Sequence, residues 1–187
     1  MSNYTQFVIL CEDRQQEVFT RHFLASYGVH PRRIRIKIPP KGQGSGEQYV
    51  RQEYPREVKL YRSKSSYLAI GLAVMIDADM LPVERRFTQL GNELKNDEQR
   101  ERQAEERIAI FVPKRNIDTW IHHLQGETVN EADVYPKLDK ERDCKPLVQK
   151  LASKPVYRLT DSVPPSLQTA ARELRRIFPE KQCEPAI

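Results

Sequence analysis

Five apolar residues in a row, Phe7, Val8, Ile9, Leu10 and Cys11, end abruptly at Glu12. An apolar run this short, with no polar alternation, predicts a strand buried on both faces, as in a parallel sheet. Over residues 13–27 the period changes. Val18, Phe19, His22, Phe23, Ala25, Ser26 and Tyr27 can lie along one side of a helix, which Gly28 stops with Pro31 beyond. Ile34, Ile36 and Ile38 then alternate with Arg33, Arg35 and Lys37, which predicts a short strand with one wet face, ended by Pro39 and Pro40. Strand, helix and strand make a βαβ unit.

After a glycine-bearing loop over 41–46, residues 47–63 predict a helix that Pro55 should break or kink. Leu68 to Ile76 is the most apolar stretch and the best candidate for a central strand; it ends in Asp77, Ala78 and Asp79. Residues 82–106 are charged and rich in helix formers, with Pro82 suited to a first helical position and Phe87, Leu90 and Leu94 as a thin apolar stripe. They predict one long helix, exposed along its second half. Ile108 to Val112 reads as a fourth buried strand closed by Pro113, and Asn116 caps a helix carrying Ile117, Trp120, Ile121 and Leu124 up to Gly126. Residues 127–143 are polar and irregular, and 145–151 and 166–178 predict two closing helices. The expected fold is a single α/β domain over residues 1–187. It has a mainly parallel sheet of about four strands flanked by helices over roughly residues 5–125, and a mostly helical extension over about 126–187.

A length of 187 residues suits one domain with a real core. The longest apolar stretch is about half of what a bilayer crossing requires, and the N-terminus lacks the regions of a signal peptide, so a soluble cytoplasmic protein is expected. Cys11, Cys144 and Cys183 form no CxxC pair, and the adjacent His122 and His123 cannot face one ligand from a helix, which argues against disulfides and zinc. The formal charge of +5 is compatible with binding phosphates without demonstrating it. Basic residues gather at 32–37, at Lys114 and Arg115, and at 172–176, where a solvated face is the ordinary reading of a charge run.

Acidic groups recur where buried strands end: Glu12 after the first, Asp77 and Asp79 after the third, and Asp118 a few residues past the fourth. In an open parallel sheet those strand ends line one edge, the edge where ligands bind. Crowded carboxylates repel and take up protons unless a positive group neutralises them, and Mg²⁺ or Mn²⁺ with oxygen ligands is a natural counter-charge. A DxD alone is weak, since the same residues serve as helix caps and loop entries; the match to Glu12 strengthens the ligand reading. His22 and Trp120 fall on apolar helix faces and read as packing residues. Lys41 with Gly42, Gly44 and Gly46 could present an ammonium and backbone N–H groups to a phosphate, or be a plain linker. Arg51, Lys114 and Arg115 lie near the acid-bearing segments and could hold a nucleic-acid backbone.

Cys11-Glu12 together with Met75, Ile76, Asp77, Ala78 and Asp79 resembles the Toprim superfamily, in which a glutamate follows the first strand and a DxD follows a later one. The likeness is closest to small single-domain proteins of the RloB-like and overcoming-lysogenization-defect-like group, whose first motif often runs E-G-x-x-T-E. Glu12 and Glu17 keep that separation, but Asp13 and Gln16 replace the glycine and threonine. Asn116, Ile117, Asp118, Thr119 and Trp120 resemble the family's acid-x-Trp motif, usually with glutamate as the acid, and Val134 to Leu138 its Pro-Lys element. The resemblance implies a metal-dependent nuclease cutting DNA or RNA. Glu12, Asp77 and Asp79 would bind Mg²⁺ or Mn²⁺, Glu17 or Asp118 would be supporting or general-base groups, and an ATPase in an antiviral system would be a partner. Two other readings stay open: a Toprim-shaped regulatory module without activity, and a nucleotide-sugar transferase using the DxD.

Overall fold

The structure, a computed structural model, describes residues 6–40, 42, 44–153 and 163–179. Strands β1 (Gln6–Leu10), β2 (Ile34–Lys37), β3 (Ile70–Met75) and β4 (Ile108–Phe111) form one sheet in the order β2-β1-β3-β4, and every pairing is parallel. Phe7 lies opposite both Ile34 and Gly71, and Met75 opposite Phe111. Strands β1, β3 and β4 are the uninterrupted apolar runs, because a strand covered on both faces has no wet side to spend polar residues on. Period-2 geometry sends Phe7, Ile9, Ala73, Met75, Ala109 and Phe111 to one face, and Val8, Leu10, Leu72, Val74, Ile108 and Ile110 to the other.

Helices α1 (Arg14–Ser26), α4 (Ile117–Gln125), α5 (Lys145–Ser153) and α6 (Pro165–Ile177) cover the first face, and α2 (Gly46–Lys64) and α3 (Val83–Asn96) cover the second. The two closing helices are therefore part of the main core: Val148, Leu151, Leu167, Leu174 and Ile177 pack with Phe7 and Trp120. The chain leaves β1 through α1 to reach β2 on one side, then returns through α2 to place β3 on the other side of β1. This divergence opens a crevice at the C-terminal ends of β1 and β3. Among the described residues no helix is long and apolar enough to cross a membrane.

Three local expectations are corrected. Pro55 neither breaks nor ends α2, which continues past it to Lys64. A proline removes one helical hydrogen bond, but the neighbouring Tyr54 and Val58 are anchored in the core, and the Pro55 carbonyl accepts a bond from Gln99 Nε2 at 2.8 Å. Strand β2 has no wet face, since all four residues are half-buried. Its basic side lies against α2, where Lys37 Nζ sits 3.3 Å from the buried Glu57 and 3.5 Å from Glu53, and Arg35 also pairs with Glu57.

The third correction is the length of α3, which ends at Asn96 and not near residue 106. Glu98 takes a left-handed φ of 55°, its N–H donates to Lys95 O at 3.0 Å, and the Gln99 N–H donates to Leu94 O at 2.8 Å. These two bonds are a Schellman stop with glutamate in the place glycine usually takes. The following segment is not an exposed helical half. Arg62 forks onto the buried Glu106, and Arg102 pairs with Glu173 of α6.

Candidate functional site

The turn that presents Glu12 is built by Asp13 and Gln16. Asp13 caps α1, its Oδ1 accepting the Gln16 N–H at 2.9 Å, while Gln16 Oε1 reaches back to accept the Glu12 N–H at 2.9 Å. This reciprocal arrangement is close to a capping box. Gly46, the first residue of α2, completes the turn by contact: a Cβ there would stand 2.7 Å from Glu12 Cβ and 2.8 Å from its carbonyl oxygen. Only glycine permits α2 to begin this close to Glu12.

Glu12 and Asp77 meet across the crevice between β1 and β3. Glu12 Oε1 accepts the Asp77 backbone N–H at 2.6 Å. Burial pushes the Glu12 carboxyl up to about 7 against the opposing effect of that amide; Asp79 and Asp13 raise it further and Arg86 lowers it. Burial likewise lifts Asp77 well above the usual carboxylate range, with the Glu12 and Asp13 charges adding to it and the facing Gln16 side chain opposing it. Asp77 is 9% exposed, and its Oδ1 is buried without a hydrogen-bond partner.

Asp79 departs from the expected arrangement. Extended backbone would put Asp77 and Asp79 on one side, but Asp79 has a left-handed φ of 51°, its side chain is 63% exposed, and Oδ2 accepts from Arg86 Nη2 at 2.9 Å. The turn is pinned from β4's extension: Ala78 N–H donates to Pro113 O and Asp79 N–H to Arg115 O, opposite a second left-handed residue, Arg115.

The remaining expected residues divide. Asp118, in the first turn of α4, is buried with Oδ1 unpartnered, and burial pushes it up to about 6, with Lys137 opposing and Asp13 adding. Lys137 Nζ is 3.4 Å from Asp13 Oδ2, so Lys137 reaches this edge. Glu17 does not join the group: its carboxylate is paired with Arg14 and Arg21 of its own helix, the latter at 3.0 Å, and burial raises its proton affinity. Arg51 is engaged by Glu93 at 2.6 Å and Glu47 at 3.3 Å, which leaves its charge spent inside the protein. Lys114 Nζ donates to Leu81 O, and Arg115 reaches the exposed Met80. Lys41 lies outside the described residues. Trp120 is core, donating from Nε1 to Ser166 Oγ at 2.7 Å, and His122 is occupied by Glu127 and Pro136 O.

The residue that sequence reasoning missed is Arg86. It sits on the buried side of α3, one turn before Leu90, and its guanidinium contacts Asp77 O, Asp79 and Glu47. The available signal was its place in the same stripe as Leu90 and Leu94, where a charged residue needs partners to be buried.

The chemistry of Glu12 and Asp77 suits a hard divalent cation, since both offer carboxylate oxygen and the orphaned Asp77 Oδ1 is an acceptor such an ion would satisfy. The third expected ligand, Asp79, is held by Arg86. Among the described residues, Glu12, Asp77 and Asp79 therefore do not gather into a ready ligand set, and no other group of three acidic, histidine or cysteine side chains does. Comparison with protein-family models, with curated proteins and with solved structures finds no match for this chain.

Proposed function

We propose that the chain is a Mg²⁺- or Mn²⁺-dependent phosphodiesterase of Toprim type that hydrolyses DNA or RNA. The observation that carries this reading is the buried Asp77 Oδ1, unpartnered beside Glu12 at the point where the connections of a doubly wound parallel sheet diverge. Bound there, a divalent cation supplies Lewis-acid charge to a phosphoryl oxygen and makes a water easier to deprotonate. Glu12 and Asp77 would hold it, with Asp79 as the third ligand once released from Arg86. Asp118 suits proton transfer, because a carboxyl pushed up to about 6 accepts and returns a proton near neutral pH. Lys137, beside Asp13, offers a positive charge for a phosphate on the same edge. The attacking water oxygen would form the new P–O bond as the P–O bond to the departing oxygen breaks; the water's proton would pass to Asp118, and the departing oxygen would take its proton from solvent water. An ATPase partner in an antiviral system is proposed from the Toprim likeness alone.

The test is incubation of the purified protein, with and without Mn²⁺, on plasmid, single-stranded DNA and transfer RNA. Cleavage is expected only with the ion, and Asp77→Asn should lower it on the order of a hundredfold or more, as loss of preorganised charge stabilisation does. Cleavage that survives Asp77→Asn and EDTA would place the chemistry elsewhere.

A second reading, a regulatory module without activity, is favoured by the hold of Arg86 on Asp79. A Mn²⁺ titration separates the two, because such a module need not bind the ion through Asp77. The participation of Glu12 at the crevice weighs against a nucleotide-sugar transferase, whose DxD chemistry does not require it.

A further inference from the structure

Arg86 is a buried cation inside a cluster proposed to bind another cation. Its side chain is 5% exposed, so its donors must find acceptors within the protein. Nε donates to Asp77 O at 2.7 Å, Nη2 to Asp79 Oδ2 at 2.9 Å, and Nη1 to Glu47 Oε1 at 2.5 Å and to Gln89 Oε1 at 2.9 Å. One guanidinium thus ties the DxD turn to the start of α2 and to its own helix, and occupies a carboxylate that the proposed site would need. Asp79 is also the exposed partner of the pair, 63% open to solvent, so it can exchange ligands without unburying Arg86.

We infer that Arg86 is the resident counter-cation of this cluster: it holds Asp79 in the ion-free protein and yields that carboxylate when a divalent ion enters, which keeps the affinity for the ion low. The inference rests on the proposed metal site. Its physical basis is competition for one carboxylate, joined to repulsion between a guanidinium and a divalent ion inside a poorly solvated crevice, where charges screen one another weakly. Arg86 therefore has a positioning role, acting through Asp79 and the turn.

The experiment titrates Mn²⁺ into the full chain by calorimetry, comparing wild type with Arg86→Gln, Arg86→Lys and Asp77→Asn, and records ion-free melting temperatures. Arg86→Gln is expected to bind Mn²⁺ at least tenfold more tightly and to melt lower without it, because the Asp77 carbonyl loses its buried donor and Glu47 keeps only Arg51. Arg86→Lys keeps the charge and should bind close to wild type. Binding that Asp77→Asn abolishes but Arg86→Gln does not tighten overturns the role of Arg86 and leaves the proposed function standing. Binding that survives Asp77→Asn sinks the proposed function, and with it this inference. Should Arg86→Gln fail to fold, Mg²⁺ titration of the wild type followed by NMR of the arginine side-chain protons decides. Exchange of the Arg86 Nη protons should speed up as the ion binds, and unchanged exchange at saturation overturns the inference.

Discussion

Asp118 carries a buried carboxyl whose Oδ1 meets no donor, and burial raises it to about 6 from the ordinary 3.8. A folded-state pKa above the unfolded value means that the native protein binds the proton more tightly. The carboxyl therefore favours folding fully below about pH 4, loses that contribution as pH rises through 6, and costs stability above it. Asp118→Asn removes the charge while keeping the shape. It should raise the melting temperature at pH 7.5 by the equivalent of about 1 kcal/mol or more, with the gain nearly gone at about pH 3.5, below the unfolded value. A gain of equal size at both pH values would show that the side chain acts through packing. If Asp118 transfers protons in cleavage, the same variant loses activity while gaining stability.

The edge of β4 is closed by side chains. Ile110 N–H donates to Glu173 Oε2 at 2.9 Å, Arg102 Nη1 donates to Ile108 O at 2.9 Å, and the two side chains pair with each other. A strand edge with unpaired N–H and C=O groups invites another strand, and this ion pair answers those groups from α6 and from the segment after α3. Glu173→Gln should destabilise by roughly 2–4 kcal/mol, because it leaves a mostly buried guanidinium without its counter-charge. Amide exchange at Ile110 should quicken with it; an unchanged exchange rate would show the contact to be incidental. At the end of α3 the sign reverses. Glu98 holds a left-handed conformation that glycine adopts without strain, so Glu98→Gly should stabilise by about 0.5–1 kcal/mol in chemical denaturation. A loss of stability there would mean that the Glu98 side chain matters more than its backbone.

Across the whole molecule, burial raises Glu12 to about 7, Asp118 to about 6, and Asp77 well above its usual range, all at one sheet edge. The sign is shared, so the ion-free protein should gain melting temperature as pH falls from 8 toward 5.5. Two groups oppose this trend: His22, whose burial lowers its proton affinity so that it resists protonation as pH falls through its ordinary 6.5, and, lower still, Glu106, held below its ordinary value by Arg62 and the Gln103 amide despite its burial; above pH 5.5 the three raised carboxyls outweigh the one imidazole. Millimolar Mg²⁺ should raise the melting temperature most at pH 8, where the carboxylates are charged and unneutralised, and flatten the profile. A melting temperature that climbs steadily from pH 5.5 to 8 without ion would contradict this account of the crevice.

The four strands and the strand-end acids were legible because they depend on local pattern. Phe7 to Cys11, Leu68 to Ile76 and Ile108 to Val112 are apolar without alternation, and only a sheet covered on both faces accommodates such runs. Parallel pairing then obliges Glu12, Asp77 and the start of α4 to share one edge. What sequence could not decide was which local preferences would be overridden. Pro55 stays helical because Tyr54 and Val58 anchor α2 on both sides of it, and α3 stops at a glutamate because two backbone bonds and the ion pairs beyond it outweigh the strain of Glu98. Nor could sequence assign the acids their partners. Glu17 turned to Arg14 and Arg21, Arg51 to Glu93, and Asp79 to Arg86. Strand patterns are set by neighbours along the chain, whereas the partner of a buried charge is chosen by whatever the fold brings within reach, here a guanidinium seven residues beyond Asp79 on the next helix.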